Sequence, residues 1–380
     1  MNKMPVKRVV IPFVWSLCIL SYSCSNDTDI VDVDNVETVE LDDVTTDLRI
    51  VPVKCAFPMD EIHRVTAYDD YIFLFGMSGK NIYCIENDSV ISTLDAIGRG
   101  RGEYSYINDF AYSPIEHMLY ISADHKLMKY SVPEMEFIGS TDINVTSATM
   151  IVLSPDELLF NGSFFEDNKS DVYRGFFKVS AQTGKVVERC YDFDYESKTM
   201  LMSWDLTPMP GGFLFPRNSL TRNRIMFYNT ETGNTDELFS FSFNSKWKVP
   251  KRLIRLAKKD PMIYALERYK ETRHLEGGHF PCITDSALVF WCFPREGDDT
   301  RQVAVIVKDG KVACRSYMIP GMDFGFSPFF LHNGYCVDIV TTTSFDNASE
   351  SDLSPLGSRL KRITDNQPFD NPVFVYFKVD

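Results

Sequence analysis

The sequence predicts an all-β fold, a six-bladed β-propeller of four-stranded blades with a small helical insertion, and three observations carry the prediction. First, a polar turn followed at once by an apolar, β-rich run occurs six times. The runs start at 71 (YIFLFG), 118 (MLYIS), 158 (LLFNG), 213 (FLFP), 287 (ALVFWCF) and 335 (YCVDIV). Second, each is followed by a further hydrophobic–aromatic run, at 81–86, 126–131, 173–180, 224–229, 302–308 and 372–379. Third, five of these lead through a turn (ENDS, VPEM, AQTGK, TETGN, KDGK) into a fourth run, and the sixth does not. Four strands per unit, at spacings of 47, 40, 55, 74 and 48 residues, fit blades around a ring.

The sixth blade would then lack its outer strand and expose an edge, which natural sheets avoid. The one unassigned β-like run is Leu48–Lys54 (LRIVPVK), just before the first blade. Pairing this N-terminal strand with the C-terminal blade closes the ring, so the propeller is expected over 48–380. Two unrelated β-sandwiches would explain the alternation but not the five-plus-one turn count. The 74-residue spacing returns to 46 if 249–276 is taken out as an insertion. It reads as two short helices broken at Asp260-Pro261, with Leu253, Ile254, Leu256 and Ala257 on the first. A second insertion, 341–370, interrupts the last blade and carries a short helix around Leu356–Ile363.

Composition agrees with strands: 13% of the chain is aromatic, with 29 Phe and 18 Tyr. A net charge of −14 argues against a general nucleic-acid binder, which would present a basic face. The nine cysteines form no CxxC pair and no zinc-site spacing with histidine, so no metal site is expected. Those in strand-like runs (Cys84, Cys292, Cys336) read as small buried hydrophobes, with room for one disulfide.

The first residues read as an address. Lys3, Lys7 and Arg8 precede an apolar run from Val9 to Leu20, and Ser21-Tyr22-Ser23-Cys24 follows. That is the three-part pattern of a secretory signal, with an apolar run too short to span a bilayer. Ser23-Cys24 resembles a lipobox, which makes 1–23 the signal and Cys24 the lipid attachment site. Ser21 stands where Leu is usual, and an ordinary signal with an incidental Cys24 fits the same pattern. Between Asp27 and Asp47 lie nine acidic residues and no Lys or Arg. The segment 24–47 is therefore expected to be a solvated, self-repelling tether.

The linker GRGRGEYSYINDFAY (98–112), the turn-delimited hairpins and the ending DNPVFVYFKVD resemble the six-bladed β-propeller lipoproteins of Bacteroidota. These are related in shape to NHL and TolB-type propellers, and the resemblance covers roughly 48–380. It implies a fold and a place in the cell envelope, as an outer-membrane lipoprotein facing the periplasm or the surface. It implies no activity, because fold alone does not fix function. Acidic residues just after the lipid-bearing Cys also resemble the surface-export signal of some such lipoproteins.

Candidate chemistry is sparse. The three glycines of Gly98-Arg99-Gly100-Arg101-Gly102 form neither a P-loop nor a GxGxxG fingerprint. They read as an interblade crossover, or as a device placing Arg99 and Arg101 at the mouth of the axial channel to grip a carboxylate or sulfate. The innermost strands are expected at 63–68, 107–112, 147–153, 203–208, 281–285 and 324–330. An axial cluster of Arg64, Asp109 and Asp205 could bind a sugar or peptide, with Trp204 as a stacking face. Alternatively, these are mutually satisfied structural charges. Lys246–Lys259 carries seven basic residues and no acid, either a solvated face or a docking surface for an anionic partner. His274 and His279 flank Gly277-Gly278 in what reads as a flexible connection. GxSxG, HExxH and SxxK motifs are absent, and no cofactor is expected. Three functions fit: a membrane-anchored lipoprotein binding a glycan, peptide or envelope protein on one propeller face; a carbohydrate-active hydrolase or lyase using axial carboxylates and arginines; or a structural subunit of an envelope complex.

Overall fold

The computed structural model describes residues 29–43, 48–165, 172–192, 206–218, 222–259, 263–264, 267, 270–271, 273–284 and 287–379, apart from 298, 323, 324 and 347. The signal segment and Cys24 lie outside the described residues, as do Trp204 and Asp205.

Three strands precede the first blade: β1 (Asp29–Val31), β2 (Glu37–Glu40) and β3 (Arg49–Pro52). Blade 1 contains β4 (Ile62–Ala67), β5 (Ile72–Gly76), β6 (Ile82–Glu86) and β7 (Ser89–Leu94). Blade 2 contains β8 (Ile107–Ser113), β9 (Met118–Ala123), β10 (Lys126–Ser131) and β11 (Phe137–Asp142). Blade 3 contains β12 (Val145–Ser154), β13 (Glu157–Phe165), β14 (Val172–Ser180) and β15 (Val186–Asp192). Blade 4 contains β16 (Thr207–Met209), β17 (Gly212–Asn218), β18 (Asn223–Asn229) and β19 (Thr235–Phe243), followed by helix α1 (Lys251–Lys259). Blade 5 contains β20 (Arg273–Ile283), β21 (Leu288–Glu296), β23 (Val303–Lys308) and β24 (Lys311–Met318), with two-residue strands β22 (Asp299–Thr300) and β25 (Gly325–Phe326) on its margins. Blade 6 contains β26 (Phe330–His332), β27 (Tyr335–Val340) and β28 (Val373–Phe377), with helix α2 (Pro355–Asp365) between the last two.

The six sheets close a ring. Apolar clusters bridge blades 1, 2 and 3, then 3 to 4, 4 to 5, 5 to 6, and 6 back to 1. The missing outer strand of blade 6 is β3, antiparallel to β28 with Val51 opposite Phe374 and Ile50 opposite Val375. Burial explains the choice. β28 is buried along its whole length, so its open edge would leave backbone N–H and C=O groups unpaired inside the protein.

The expected acidic tether is corrected by the structure from Asp29 onward. β1 adds a parallel strand to the outer edge of β19, and β2 adds one to β24. Val31, Val33 and Leu41 are fully or almost fully buried. Several of the acids are partnered: Asp34 accepts from Lys246 Nζ at 3.0 Å and Trp247 Nε1 at 3.1 Å, and Glu37 pairs with Arg315 at 2.9 Å. Asp42 accepts from Ser354 Oγ at 2.7 Å and Leu356 N at 3.1 Å, satisfying a free N–H at the start of α2. Composition suggested repulsion, but apolar residues among the acids and bases on blades 4 and 5 turn the segment into a strap around the rim.

Other boundaries moved. The insertion expected over 249–276 ends earlier, because Arg273–Glu276 already belongs to β20. His274 and His279 therefore lie in a strand, not in a flexible connection. The innermost strand of blade 6 is β26 instead of 324–330, since Gly325–Phe326 pairs with β24 of blade 5.

Antiparallel order fixes where the connections go. Within each blade the turns joining strands one to two and three to four lie on one face. Those joining two to three, and the crossings to the next blade, lie on the other. Gly98–Tyr104, the insertion carrying α1 and the insertion carrying α2 therefore all open on the same face of the ring.

Candidate functional site

At the axis, a repeated defect shapes the inner strands. Register slips by one residue between Ile62 and Arg64, Ile107 and Asp109, Ser147 and Thr149, and Gly277 and His279. Each slip is a β-bulge, which leaves one residue unpaired and re-aims the next. Blades 1, 2, 3 and 5 thus present Arg64, Asp109, Thr149 and His279 at equivalent places. No motif announces this, because the surrounding residues differ in every blade.

The structure brings Arg64 and Asp109 together in an ion pair and buries Asp109 completely. Asp109 Oδ2 also accepts the backbone N–H of Met150 on β12. One carboxylate thereby joins three consecutive blades. The Arg64 guanidinium, packed over the Phe110 ring at 5.1 Å, is pushed down to about 10 by burial. A fully enclosed carboxylate with both oxygens engaged is a strut, in keeping with the structural alternative for these charges. Asp205 and Trp204, the other expected members of the cluster, lie outside the described residues.

Asp338 is a carboxyl that sequence reading missed. It stands on β27 where the short β26 no longer covers that strand, and it accepts from Ser327 N at 3.2 Å and Ile339 N at 2.8 Å. Burial raises its carboxyl to about 7, against the lowering pull of those two N–H donors. A lone Asp in an apolar strand (YCVDIV) was the available signal.

The loop Gly98–Tyr104 packs between blades 1 and 2. Tyr104 is fully buried and donates to Lys80 O at 2.8 Å, while Gly100 N donates to Glu103 Oε2 at 2.6 Å. Gly102 has φ +76°, and a Cβ there would strike the Phe137 ring. The glycines thus serve a turn laid tightly on the neighbouring blade. The expected place of Arg99 and Arg101 at the axial mouth is corrected. Both are exposed, and the loop lies over β10 and β11, the two outer strands of blade 2. The crossover starts from an outer strand, so its early residues stay at the rim.

There the loop walls a groove of about 400 Å³ lined by Arg101, Glu103, Lys126, Met128, Phe137 and Ser140. Gly139 in its floor has open space where a side chain would stand. Arg99, Arg101 and Lys126 have no carboxylate partner among the described residues.

On the helical insertion, α1 presents Lys251, Arg255 and Lys259 outward and buries Leu253 and Ala257. All seven described cysteines are free, and burial pushes the Cys84 thiol up to about 12. Among the described residues, no three His, Cys, Asp or Glu side chains converge as a metal site, and no helix is long and apolar enough to cross a membrane.

No curated protein matches the sequence. Among solved structures, a Bacteroides fragilis protein described as exported overlays with a TM-score of 0.65 at 10% identity, covering 91% of this chain and 100% of that one. A DUF4221-family protein from Bacteroides vulgatus overlays with a TM-score of 0.47 at 9% identity, covering 88% of this chain and 96% of that one. At 10% identity the first likeness speaks for the fold alone. A sequence profile described as a six-bladed β-propeller matches residues 21–272, about two thirds of the chain. With six closed sheets and that match, the chain belongs to the DUF5128 family of six-bladed β-propellers.

Proposed function

We propose that the protein is an envelope-anchored binding protein, held by lipid at Cys24, that captures an anionic saccharide in the groove beside Arg101. One observation carries the reading: Arg101 and Lys126 line an open groove, with Arg99 close by in the same loop, and none of the three has an ion-pair partner among the described residues, the groove's own Glu103 being turned to the backbone N–H of Gly100. On a chain of net charge −14, nearby acids would ordinarily quench such cations. Arginine offers a planar fork suited to carboxylate and sulfate. Phe137 and Met128 supply the apolar floor that the carbon face of a sugar ring needs. The absence of the common hydrolase motifs from the sequence favours binding over turnover, and the signal-like first residues favour export.

The test is calorimetric titration of uronic-acid and sulfated oligosaccharides against the wild type and an Arg99→Ala/Arg101→Ala/Lys126→Ala variant. The wild type should bind at least one acidic saccharide, and the variant should lose affinity at least tenfold. All three side chains are exposed, so the melting temperature should hold within about 2 °C. Equal affinity in the variant, or no binding of any acidic saccharide by the wild type, sinks the proposal.

A further inference from the structure

We infer that α1 is a membrane-contact element, whose cationic stripe rests on an anionic bilayer and fixes how the propeller sits on its anchor. The inference builds on the reading of Cys24 as the lipid attachment site. Lys251, Arg255 and Lys259 stand at i, i+4 and i+8, which places them in one row along the helix. All three are exposed, as is Lys248 just before the helix, and none has an ion-pair partner among the described residues. Arg252 beside them is engaged by Glu271. Leu253 and Ala257 face inward, so the helix offers charge to a surface and not an apolar wedge.

The occupant follows from where the strap begins. Val31 and Val33 of the strap share one apolar core with Trp247, four residues before α1. Asp34 binds Asn244, Lys246 and Trp247, the segment that leads into the helix. The strap and the root of the insertion are therefore a single packed unit. Cys24 lies five residues before Asp29, a reach of at most about 18 Å even when fully extended. A lipid there keeps blade 4 and its insertion close to the bilayer, whereas a 24-residue tether would have let the ring drift away. Attraction between exposed cations and anionic headgroups fades within a Debye length, about 8 Å at physiological salt. It therefore matters only for an element held this near. A net charge of −14 repels the same surface, so the stripe is the part of this acidic ring suited to face it. The groove beside Arg101 belongs to blade 2, two blades away around the ring from blade 4.

The experiment uses the protein extracted from cells and reconstituted on vesicles of phosphatidylcholine alone or with 30% phosphatidylglycerol. Flotation reports the anchor, and the rate of lysine acetylation by a neutral reagent reports the contact. On the mixed vesicles, acetylation of Lys248, Lys251 and Lys259 should slow at least threefold relative to phosphatidylcholine and recover in 0.5 M NaCl. Lys308 and Lys311, exposed beside the turn joining β23 to β24 on the opposite face of the ring, should be unchanged. A Lys251→Glu/Arg255→Glu/Lys259→Glu variant should float as well as the wild type, yet show no slowing at Lys248. Flotation on phosphatidylcholine without any footprint on the anionic vesicles overturns the inference and leaves the anchor standing. Failure to float on phosphatidylcholine overturns the anchor, and the inference with it.

Discussion

Among single residues, Asp338 has the clearest energetic consequence. Its carboxyl titrates near 7 in the folded protein against 3.8 for the free group, because burial opposes the charge more than two backbone N–H donors support it. A raised carboxyl pKa means that the folded state holds the proton more tightly. Stability is therefore full at pH values below the unfolded pKa and is lost as pH rises through the folded one. Three pKa units set an upper limit of roughly 4 kcal/mol, and partial access to water lowers it. Melting temperature should fall between pH 4.5 and 7.5, and Asp338→Asn should flatten that slope and melt higher than wild type at pH 8. Parallel pH profiles for the two proteins would contradict the assignment. Asp109, by contrast, is held by a guanidinium as well as a backbone N–H, from Arg64 and Met150. Their sequence contexts, NDF and VDI, give no hint of the difference.

At the scale of elements, the strap 29–43 departs furthest from the sequence reading. An acidic run without a base reads as a polymer in water, but Asp34 pairs with Lys246 and Arg301 and Glu37 with Arg315, more than two hundred residues away. The lever is Asp34. Burial works against its charge, and donors from Asn244, Lys246 and Trp247 outweigh that and hold the carboxyl below its ordinary range. Replacing Asp34 with Ala leaves the Trp247 N–H and the Lys246 ammonium without this acceptor, at a cost of about 1–2 kcal/mol. Hydrogen exchange should accelerate in Asp29–Val31 before it does in blades 1 to 3. Uniform acceleration across all blades would mean that the strap is integral to the ring and not an addition to its rim.

For the whole molecule, ring closure makes the ends of the chain interdependent. Each blade buries one face against each neighbour, so no blade has a complete core of its own. At the joint between β3 and β28, and where blade 6 packs on blade 1, this continuity rests on residues far apart in sequence. Val375→Asp puts an unpaired charge at a fully buried point of that joint and should cost on the order of 4 kcal/mol. In calorimetry the entire transition should move down as one peak. A separate early transition for blade 6 would show that the blades fold independently.

Four strands per blade, the blade count and closure were legible because each leaves a local trace. Turn residues punctuate every hairpin, apolar runs mark every buried strand, and a missing fourth run at one end matched a spare run at the other. The joint at Gly98–Tyr104 was legible for the same reason: glycines at that spacing mean close backbone packing. Tertiary structure alone decided what depends on distant partners. It set the bulges that align Arg64, Asp109, Thr149 and His279, moved Arg99 and Arg101 from the axis to the rim, and turned an acidic run into a strap. A sequence lists charges without their distances, and electrostatic energy depends on distance and burial. The chain by itself therefore determined the ring, and only folding determined which of its charges are struts and which remain free for a partner.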